Sequence, residues 1–262
     1  MKLIFESHME KIKIISLAKS TQRRAEFAKN NNHIDFEFVD GVDGEALSVD
    51  DIANCGFFAP DLNYRKGAFG CAMSHLQLWQ LAESSGQPVT IAEDDAIFRH
   101  DFPDKLKALL GADDQDWDIV LWGWNFNSVL SVSVLPEISP VVMLFDQEAL
   151  RNSIDKFQRL EETAAYLKLN KCFGTVAYTL SPQGAKKILL KLMPLKNFNV
   201  FLPAIKNNTF PNRGIDIALC SIYKSINALV AFPPLVVTKN ERSVSTVQQS
   251  KPFSMVAAPP AG

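Results

Sequence analysis

The sequence has few cysteines, no long apolar run and no excess of charge of either sign. Its four cysteines are widely scattered and form no Cys-x-x-Cys pair, which excludes the common structural zinc sites and a dense disulfide framework. The longest apolar stretches, such as residues 230–237, fall short of the roughly 20 residues that span a bilayer. With 27 basic and 29 acidic residues the formal net charge is -2, so the chain lacks the basic field of a nucleic-acid-binding protein, and no nucleic-acid partner is expected.

The length of 262 residues suits one large domain, which we place at residues 9–247. The letters Ser7-His8-Met9 resemble a cloning scar before a native start, so residues 1–8 are expected to be an artificial leader. Residues 248–262 end in VAAPPAG and are expected to form a flexible tail. The first residues lack the basic start and apolar core of a secretion signal, and the scattered thiols suit a reducing compartment; a cytoplasmic protein is therefore expected.

Strand-like and helix-like segments alternate along the chain. Residues 11–17 form a short β-branched run, residues 19–31 have helical composition, and residues 33–41 alternate apolar with acidic side chains. This β-α-β order predicts an α/β fold with a parallel sheet, whose ligand crevice should lie at the carboxyl ends of the strands. Further helices are predicted at 70–82, 102–111, 147–168, 181–194 and 214–223, and further strands at 89–95, 117–124, 172–180 and 229–237, with a hairpin at 129–146.

Three consecutive carboxylates, Glu93, Asp94 and Asp95, interrupt an apolar segment that continues at residues 96–98. On a strand, Glu93 and Asp95 would share one face while Asp94 faces away. Two carboxylates about 4 Å apart repel by roughly 4 kcal/mol at an effective dielectric of about 20, and a divalent cation such as Mg2+ or Mn2+ removes that repulsion. A solvated turn or a helix-capping cluster is the commoner origin of such a triplet, so spacing alone leaves both interpretations open.

Other polar residues invite a functional or a merely structural interpretation. Ser74 and His75 lie on an otherwise apolar helical face, either as a hydrogen-bonded core pair or as the floor of a cleft. Arg23 and Arg24, near the start of the first predicted helix, could bind a diphosphate or be exposed and solvated. Asp216 is either a charge in the first turn of a helix or a catalytic carboxylate.

Six sequence blocks occur in a fixed order over most of the chain. They are IISLAKSTQRR (14–24), FEFVDGVDG (36–44), GAFGCAMSHLQLWQ (67–80), VTIAEDDAIF (89–98), GTVAYTLSPQGAKKIL (174–189) and GIDIAL (214–219). Each block alone is weak evidence, but the ordered set resembles glycosyltransferase family 25, the bacterial lipooligosaccharide glycosyltransferases.

The resemblance implies a GT-A-like nucleotide-sugar-binding fold, with a central, mostly parallel sheet flanked by helices. It implies a UDP-sugar donor, frequently UDP-galactose, and Mn2+ or Mg2+ as cofactor, with the triplet of acids 93–95 as the family's metal-binding acidic motif. Ser74 and His75 match the family's Gly-Cys-x-x-Ser-His block, and Asp216 matches its late acidic position. Matching positions on the nucleotide side are Ser16, Leu17, Arg23, Arg24, Asp40 and Asp43, with Ser74 beside them.

The resulting hypothesis is metal-dependent transfer of a hexose from a UDP-sugar to a hydroxyl of a lipooligosaccharide or related glycan. If the reaction inverts the anomeric centre, as this family is thought to do, a base must accept the acceptor proton, and Asp216 is the first candidate and His75 the second. A lipid-linked acceptor implies transient contact with a membrane surface, and hence a peripheral location at the inner membrane.

Two other classes of protein remain compatible with the same residues. A nucleotidyltransferase could use the three acids to hold a metal, but it would release pyrophosphate from a nucleoside triphosphate rather than UDP from a UDP-sugar. A noncatalytic glycan-binding or scaffold homologue would tolerate neutral substitutions of Glu93 and Asp95 without loss of function.

Overall fold

A computed structural model of the protein describes residues 11–112, 116–202 and 209–240. The expected leader at 1–8 and the expected tail at 248–262 therefore lie outside the described residues. The strands are β1 (Ile12–Ser16), β2 (Phe36–Asp40), β3 (Val89–Glu93), β4 (Ala96–Phe98), β5 (Ile119–Gly123), β6 (Val129–Leu135), β7 (Ser139–Leu144), β8 (Ala165–Cys172), β9 (Ala177–Leu180), β10 (Asn199–Phe201), β11 (Thr209–Pro211), β12 (Ala228–Phe232) and β13 (Val236–Thr238). The helices are α1 (Thr21–Asn30), α2 (Val49–Asn54), α3 (Lys66–Ser85), α4 (Phe102–Leu110), α5 (Gln147–Arg151), α6 (Ile154–Gln158), α7 (Pro182–Leu192) and α8 (Ile215–Ile222).

A nine-stranded mixed sheet, in the order β2-β1-β3-β9-β5-β12-β8-β6-β7, forms the centre of the fold. Strands β2, β1, β3, β5, β12 and β6 run in one direction, whereas β9, β8 and β7 run in the other. The expected α/β class, with a large central sheet of mainly one strand direction, is thus confirmed. Because β1, β2 and β3 are parallel neighbours, their carboxyl ends meet at one edge, where an open α/β sheet binds its ligands.

Each face of the sheet carries its own apolar core. In β5, Ile119 and Leu121 belong to one buried cluster, together with residues of α3 and α7, whereas Val120 and Trp122 belong to the other. The second cluster also takes in Phe27 of α1 and residues of α4. Alternate residues of a strand point to opposite faces, and each large side chain that becomes fully buried stabilises the fold by about 1.5–3 kcal/mol.

Helix ends follow the predicted chemistry. Ser181 caps α7, its Oγ accepting a hydrogen bond from the Gly184 N–H at 3.0 Å, and Pro182 occupies the first helical position. The helix predicted at 70–82 is longer than expected, and α3 ends at Gly86, whose left-handed φ of 66° suits a glycine. None of the helices in the described part of the chain is long and apolar enough to cross a membrane.

Several segments differ from the sequence-based prediction. Residues 147–168 were expected to be helical, but helix is confined to α5 and α6, and β8 begins at Ala165 because it pairs with β12 and β6. The strand predicted at 172–180 is regular only from Ala177 onward. The single strand predicted at 229–237 is divided into β12 and β13 by two prolines, which cannot donate ladder hydrogen bonds, and β13 pairs with β4 in a separate small sheet.

Candidate active site

A cleft of about 460 Å³ opens at the carboxyl ends of β1, β2 and β3. Its walls are the end of β1 with the loop and first turn of α1 that follow, the loop after β2, one face of α3, and the end of β3. The lining residues are Ile15, Ser16, Leu17, Lys19, Ser20, Arg23, Gly41, Val42, Asp43, Gly44, Glu45, Gly67, Cys71, Ser74, His75, Glu93 and Asp94. Ligand pockets typically measure about 300–1,000 Å³, so the cleft has room for a nucleotide.

The loop after β2 is pressed against α3. A Cβ placed on Gly44 would lie 1.9 Å from the Lys66 carbonyl oxygen, and one placed on Gly70 would lie 2.4 Å from that of Val42. Both positions therefore admit only glycine. Ser74 fastens the same contact, because its hydroxyl accepts from the Val42 N–H and donates to the Gly70 carbonyl, each at 2.8 Å. Ser74 shapes this wall of the cleft with its hydroxyl already committed to backbone groups.

Asp94 is neutralised within the protein. Its Oδ1 pairs with the guanidinium of Arg23, and its Oδ2 accepts from the Ser16 hydroxyl at 2.6 Å. Only 8% of the Asp94 side chain is exposed. The predicted strand alternation ends at Glu93, because Asp94 and Asp95 form the turn between β3 and β4. Asp94 thus joins this turn to β1 and α1, and of the three acids it is the one already paired.

Asp95, unlike Asp94, forms no ion pair within the described part of the chain, and the Thr238 side chain hydrogen-bonds to it. Its side chain is accessible to solvent, yet it lies recessed among protein atoms at a cavity of about 90 Å³ that Arg23, Asp94 and Lys239 also line. The pKa of Asp95 is raised to about 7, chiefly because it is removed from bulk water and then because of the charge of Glu93; Arg23 opposes the shift. A carboxylate in this position gains stability from a bound cation.

His75 is buried and held by a chain of hydrogen bonds. Its Nδ1 lies 2.8 Å from the Tyr178 hydroxyl, which accepts the indole N–H of Trp79 at 2.7 Å. Since that hydroxyl already accepts one hydrogen bond, its own proton points to Nδ1, and we infer that neutral His75 carries its proton on Nε2. That atom lies 3.8 Å from Glu93 Oε1, beyond hydrogen-bond length, and has no hydrogen-bond partner within the described ranges.

Glu93 is the acceptor at the centre of this network. Thr175 donates its hydroxyl to Glu93 Oε1 at 2.5 Å. Desolvation opposes the ionisation of Glu93, but His75, Thr175 and Arg23 together lower its pKa below the ordinary value. Glu93 therefore remains ionised beside Asp95, whose pKa it raises.

Asp216 lies in the first turn of α8 and accepts the Gly174 N–H at 3.1 Å. Burial raises the pKa of Asp216, and the negative charge of Glu93 raises it further. The two carboxylates are therefore close enough to interact electrostatically. Gly174 has a φ of 96°, and a Cβ there would lie 2.6 Å from the Asn125 side chain. The loop around Gly174, which donates to Asp216, therefore has a backbone conformation that requires glycine.

The other predicted nucleotide-side residues divide into two groups. Leu17 and Asp43 line the cleft, and Asp43 accepts the Glu45 N–H at 3.2 Å and pairs with Lys19. Arg24 and Asp40 instead brace the cleft from outside. Arg24 pairs with Asp40 at 2.5 Å, donates to the Ser16 carbonyl at 2.8 Å and stacks on the ring of Phe38.

The family model for glycosyltransferase family 25, described as an LPS biosynthesis protein, matches residues 9–203. The chain belongs to glycosyltransferase family 25. The model ends inside the expected domain of 9–247, whose boundaries stay a prediction.

Curated relatives share this family. "Putative glycosyltransferase R655" of Acanthamoeba polyphaga mimivirus is 32% identical over 45% of this chain and 38% of its own length. "Inactive glycosyltransferase 25 family member 3" of Mus musculus is 27% identical over 72% of this chain and 31% of its own, and "Procollagen galactosyltransferase 2" of Homo sapiens is 23% identical over 76% and 30%. The chain thus spans about a third of the length of the curated relatives it matches. Among solved structures, A197 from STIV is 12% identical and covers 87% of this chain and 83% of its own, but its TM-score of 0.37 is too low to support an argument.

The family 25 resemblance implies a metal, and the residues fit one only in part. Within the described residues, no group of three or more His, Cys, Asp or Glu side chains is arranged to hold an ion. Mg2+ and Mn2+ are, however, commonly held by one or two carboxylates together with substrate phosphates. Asp95, with its raised pKa, and the ionised Glu93 supply such a donor set, whereas Asp94 is occupied by Arg23 and Ser16.

Sequence reasoning missed several residues in and around this cleft. Lys19 at the mouth of the cleft, Thr175 on Glu93, and Tyr178 with Trp79 behind His75 were given no role. Lys19 lies in one of the recognised blocks, three residues after Ser16, so its place beside the strand end was a usable signal. The contacts of Thr175 and Tyr178 join residues about a hundred positions apart, and no local pattern marks them.

Proposed function

We propose that this chain is a metal-dependent glycosyltransferase that moves a hexose, galactose being the first candidate, from a UDP-sugar to a hydroxyl of a lipooligosaccharide or related glycan. The observation that carries the proposal is Asp95, a carboxyl group with a raised pKa and no ion pair among the described residues, beside a nucleotide-sized cleft at the carboxyl ends of parallel strands. Membership of glycosyltransferase family 25 supports it. The name of the human relative, a procollagen galactosyltransferase, supports the choice of galactose.

In this proposal the cleft binds the UDP part of the donor. Lys19 and Arg23 line it with cationic groups that attract a diphosphate, and the first turn of α1 lies beside them. Arg23 is oriented by its pairing with Asp94, so a diphosphate would meet a guanidinium already fixed in place. The apolar side chains of Ile15 and Leu17 form a wall against which the uracil ring of UDP would pack.

Mn2+ or Mg2+ would be held by Asp95 and Glu93, and when bound it would neutralise the diphosphate of the leaving UDP. Glu93 is kept ionised and positioned by Thr175, which suits a metal ligand. The chain itself contributes the placement of these two oxygens and the cationic pair Lys19 and Arg23.

An inverting reaction needs a base for the acceptor hydroxyl, and Asp216 suits this role better than His75. The raised pKa of Asp216 brings it closer to the range in which a carboxylate accepts protons effectively. His75 in the assigned tautomer presents its Nε2–H on the side of Glu93, so it can donate a hydrogen bond but has no free ring nitrogen to accept a proton.

The acceptor is proposed to be lipid-linked and to be met at a membrane surface, with the protein peripheral at the inner membrane and otherwise cytoplasmic. The β6–β7 hairpin supports surface contact. Ile138 at its tip is 81% exposed and Leu135, whose carbonyl accepts the Ile138 N–H, is 52% exposed, and clustered exposed aliphatic side chains commonly mark interaction surfaces.

A panel of UDP-sugars, assayed for UDP release with and without Mn2+, tests this proposal. We expect metal-dependent UDP release from one donor, since even slow hydrolysis of the donor identifies its sugar. Release of pyrophosphate from a nucleoside triphosphate under the same conditions would instead indicate a nucleotidyltransferase.

A noncatalytic glycan-binding role is the second candidate, favoured by the murine relative that is named inactive. It predicts that the protein binds glycans and releases no UDP from any donor. Unchanged glycan binding after Glu93→Gln or Asp95→Asn would support this second candidate.

A further inference from the structure

A second cavity, of about 410 Å³, lies between the α5–α6 segment, the end of α1 and the residue that follows β13. It is lined by Asn30, Arg151, Asn152, Ser153, Ile154, Asp155, Lys156, Gln158, Arg159 and Lys239. The lining is almost entirely polar, and the mechanism proposed above uses none of these side chains.

The charge of this cavity is opposite in sign to that of the chain as a whole. Four basic side chains, Arg151, Lys156, Arg159 and Lys239, and one carboxylate, Asp155, line it, and Arg151 also pairs with Glu148 at 2.9 Å, whereas the whole sequence carries a formal net charge of -2. Within the described ranges, the side chains of Lys156, Arg159 and Lys239 form no ion pair. Local cationic charge of this kind attracts an anion with several oxygen acceptors.

The wall of the cavity is built from cross-linked elements. Arg151 donates to the Lys239 carbonyl at 2.8 Å and to the Asn240 carbonyl at 3.0 Å, which fixes the chain after β13. The amide of Gln158 donates to the Asn30 carbonyl at 2.9 Å and to the Phe98 carbonyl at 3.2 Å. The cationic side chains therefore project from a backbone that α1, β4 and β13 hold in place.

We call the 460 Å³ cleft the donor cleft and the second cavity the basic cavity. Lining residues that neighbouring cavities share place the basic cavity on the far side of the Asp94–Asp95 turn from the donor cleft. The donor cleft shares Arg23 and Asp94 with the small cavity at Asp95. The small cavity in turn shares Asn30 and Lys239 with the basic cavity. An acceptor that approached Asp95 from this side would bring its distal part over the basic cavity.

We propose that the basic cavity is an anion subsite that binds a phosphate group carried by the saccharide acceptor. This inference rests on the proposed transferase function for the identity of the ligand. The binding itself is independent of that function, because Lys156 and Arg159 would donate to phosphate oxygens whether or not a sugar is transferred.

Calorimetric titration of the full chain tests the subsite, with glucose 6-phosphate, glucose and inorganic phosphate as probes and no donor present. Glucose 6-phosphate should bind, glucose should not, and rising salt should weaken the binding. The double variant Lys156→Ala/Arg159→Ala, at two exposed positions, should weaken it by about tenfold or more. The matched control Lys186→Ala/Lys191→Ala removes two exposed lysines of α7 and should bind like the wild type.

Wild-type affinity in the Lys156→Ala/Arg159→Ala variant would overturn the subsite, as would equal binding of glucose. Binding of inorganic phosphate alone would overturn the assignment to a saccharide. Equal binding of both phosphates, lost in the variant, would support recognition of the phosphate group. The proposed transferase function fails separately, through absence of UDP release from every donor in wild-type protein.

Discussion

The donor cleft and the β6–β7 hairpin lie at different places on the same sheet and are built in opposite ways. In the cleft, Ser74, Glu93 and Asp94 each have a hydrogen-bond partner on another element. The loop after β2 packs so closely against α3 that Gly44 and Gly70 leave no room for a Cβ. In the hairpin, β7 is the last strand of the sheet and exposes aliphatic side chains to solvent. The difference indicates that the cleft is preorganised for one ligand geometry, whereas the hairpin presents a surface.

The largest effect is expected from Asp95→Asn in the cleft. It removes the carboxylate that is proposed to bind the metal, so metal-dependent UDP release should fall about 100- to 1,000-fold while the fold persists. Steady-state assays at several Mn2+ concentrations measure this change. Asp104→Asn, at an exposed position of α4, is the control and should retain activity. Full activity of Asp95→Asn would remove the metal role of this residue.

Gly70→Ala tests how tightly the cleft is packed. The new methyl group would meet the Val42 carbonyl at 2.4 Å, and we expect a loss of about 2–3 kcal/mol in the free energy of unfolding. Urea denaturation measures the loss. Gly111→Ala, where the nearest atom is 3.1 Å away, should change stability by less than about 1 kcal/mol. Equal effects at the two glycines would contradict the tight contact between α3 and the loop after β2.

Tyr178→Phe removes the hydroxyl between Trp79 and His75. We expect the free energy of unfolding to fall by about 1–3 kcal/mol, because the indole N–H is left without a partner. Nitrogen-15 NMR of the imidazole should show the proton on Nε2 in the wild type and a mixture of tautomers in the variant. An unchanged spectrum would mean that Tyr178 does not position His75. Tyr166→Phe on β8 is the control, since that side chain is 40% exposed.

The smallest effect on stability is expected in the hairpin. Leu135→Ser/Ile138→Ser replaces two exposed side chains at the tip, so the free energy of unfolding should change by less than about 1 kcal/mol. Co-sedimentation with lipid vesicles should nevertheless weaken roughly tenfold, because two aliphatic groups lose their burial in the bilayer surface. Leu190→Ser, at a position 74% exposed on α7, should leave vesicle binding unchanged. Identical sedimentation of all three proteins would argue against the hairpin as a membrane contact.

Local patterns predicted the parts of the fold that depend on neighbouring residues. The alternation of apolar residues in β2, the Ser181 cap of α7 and the buried strand that leads into the three acids could all be predicted because each depends on residues a few positions apart. The polar pair Ser74 and His75 was correctly expected to lie on one helical face, and both residues are buried. The sequence alone did not decide between a core and a cleft role, and the structure shows that both side chains are buried and line the cleft.

Contacts between distant residues could not be predicted in this way. The pairing of Asp94 with Arg23 joins positions 71 apart, and that of His75 with Tyr178 joins positions 103 apart. The roles of Asp94 and Glu93 differ because of such contacts, although their side chains are chemically alike. Strand alternation also failed at Asp94, where the chain turns rather than continuing to β4 as one strand.

The reversed strand β9 has a consequence for how the protein folds. It pairs with β3 on one side and β5 on the other, so within the described residues these two strands are joined through a segment that follows both of them in the chain. Chains that emerge from the ribosome would hold two unjoined sheet edges until residue 180 is available. Thr175 and Tyr178 arrive with that same segment, so β3 becomes joined to β5 at the same stage at which Glu93 and His75 gain these partners, and a fragment that ended at β5 would have neither.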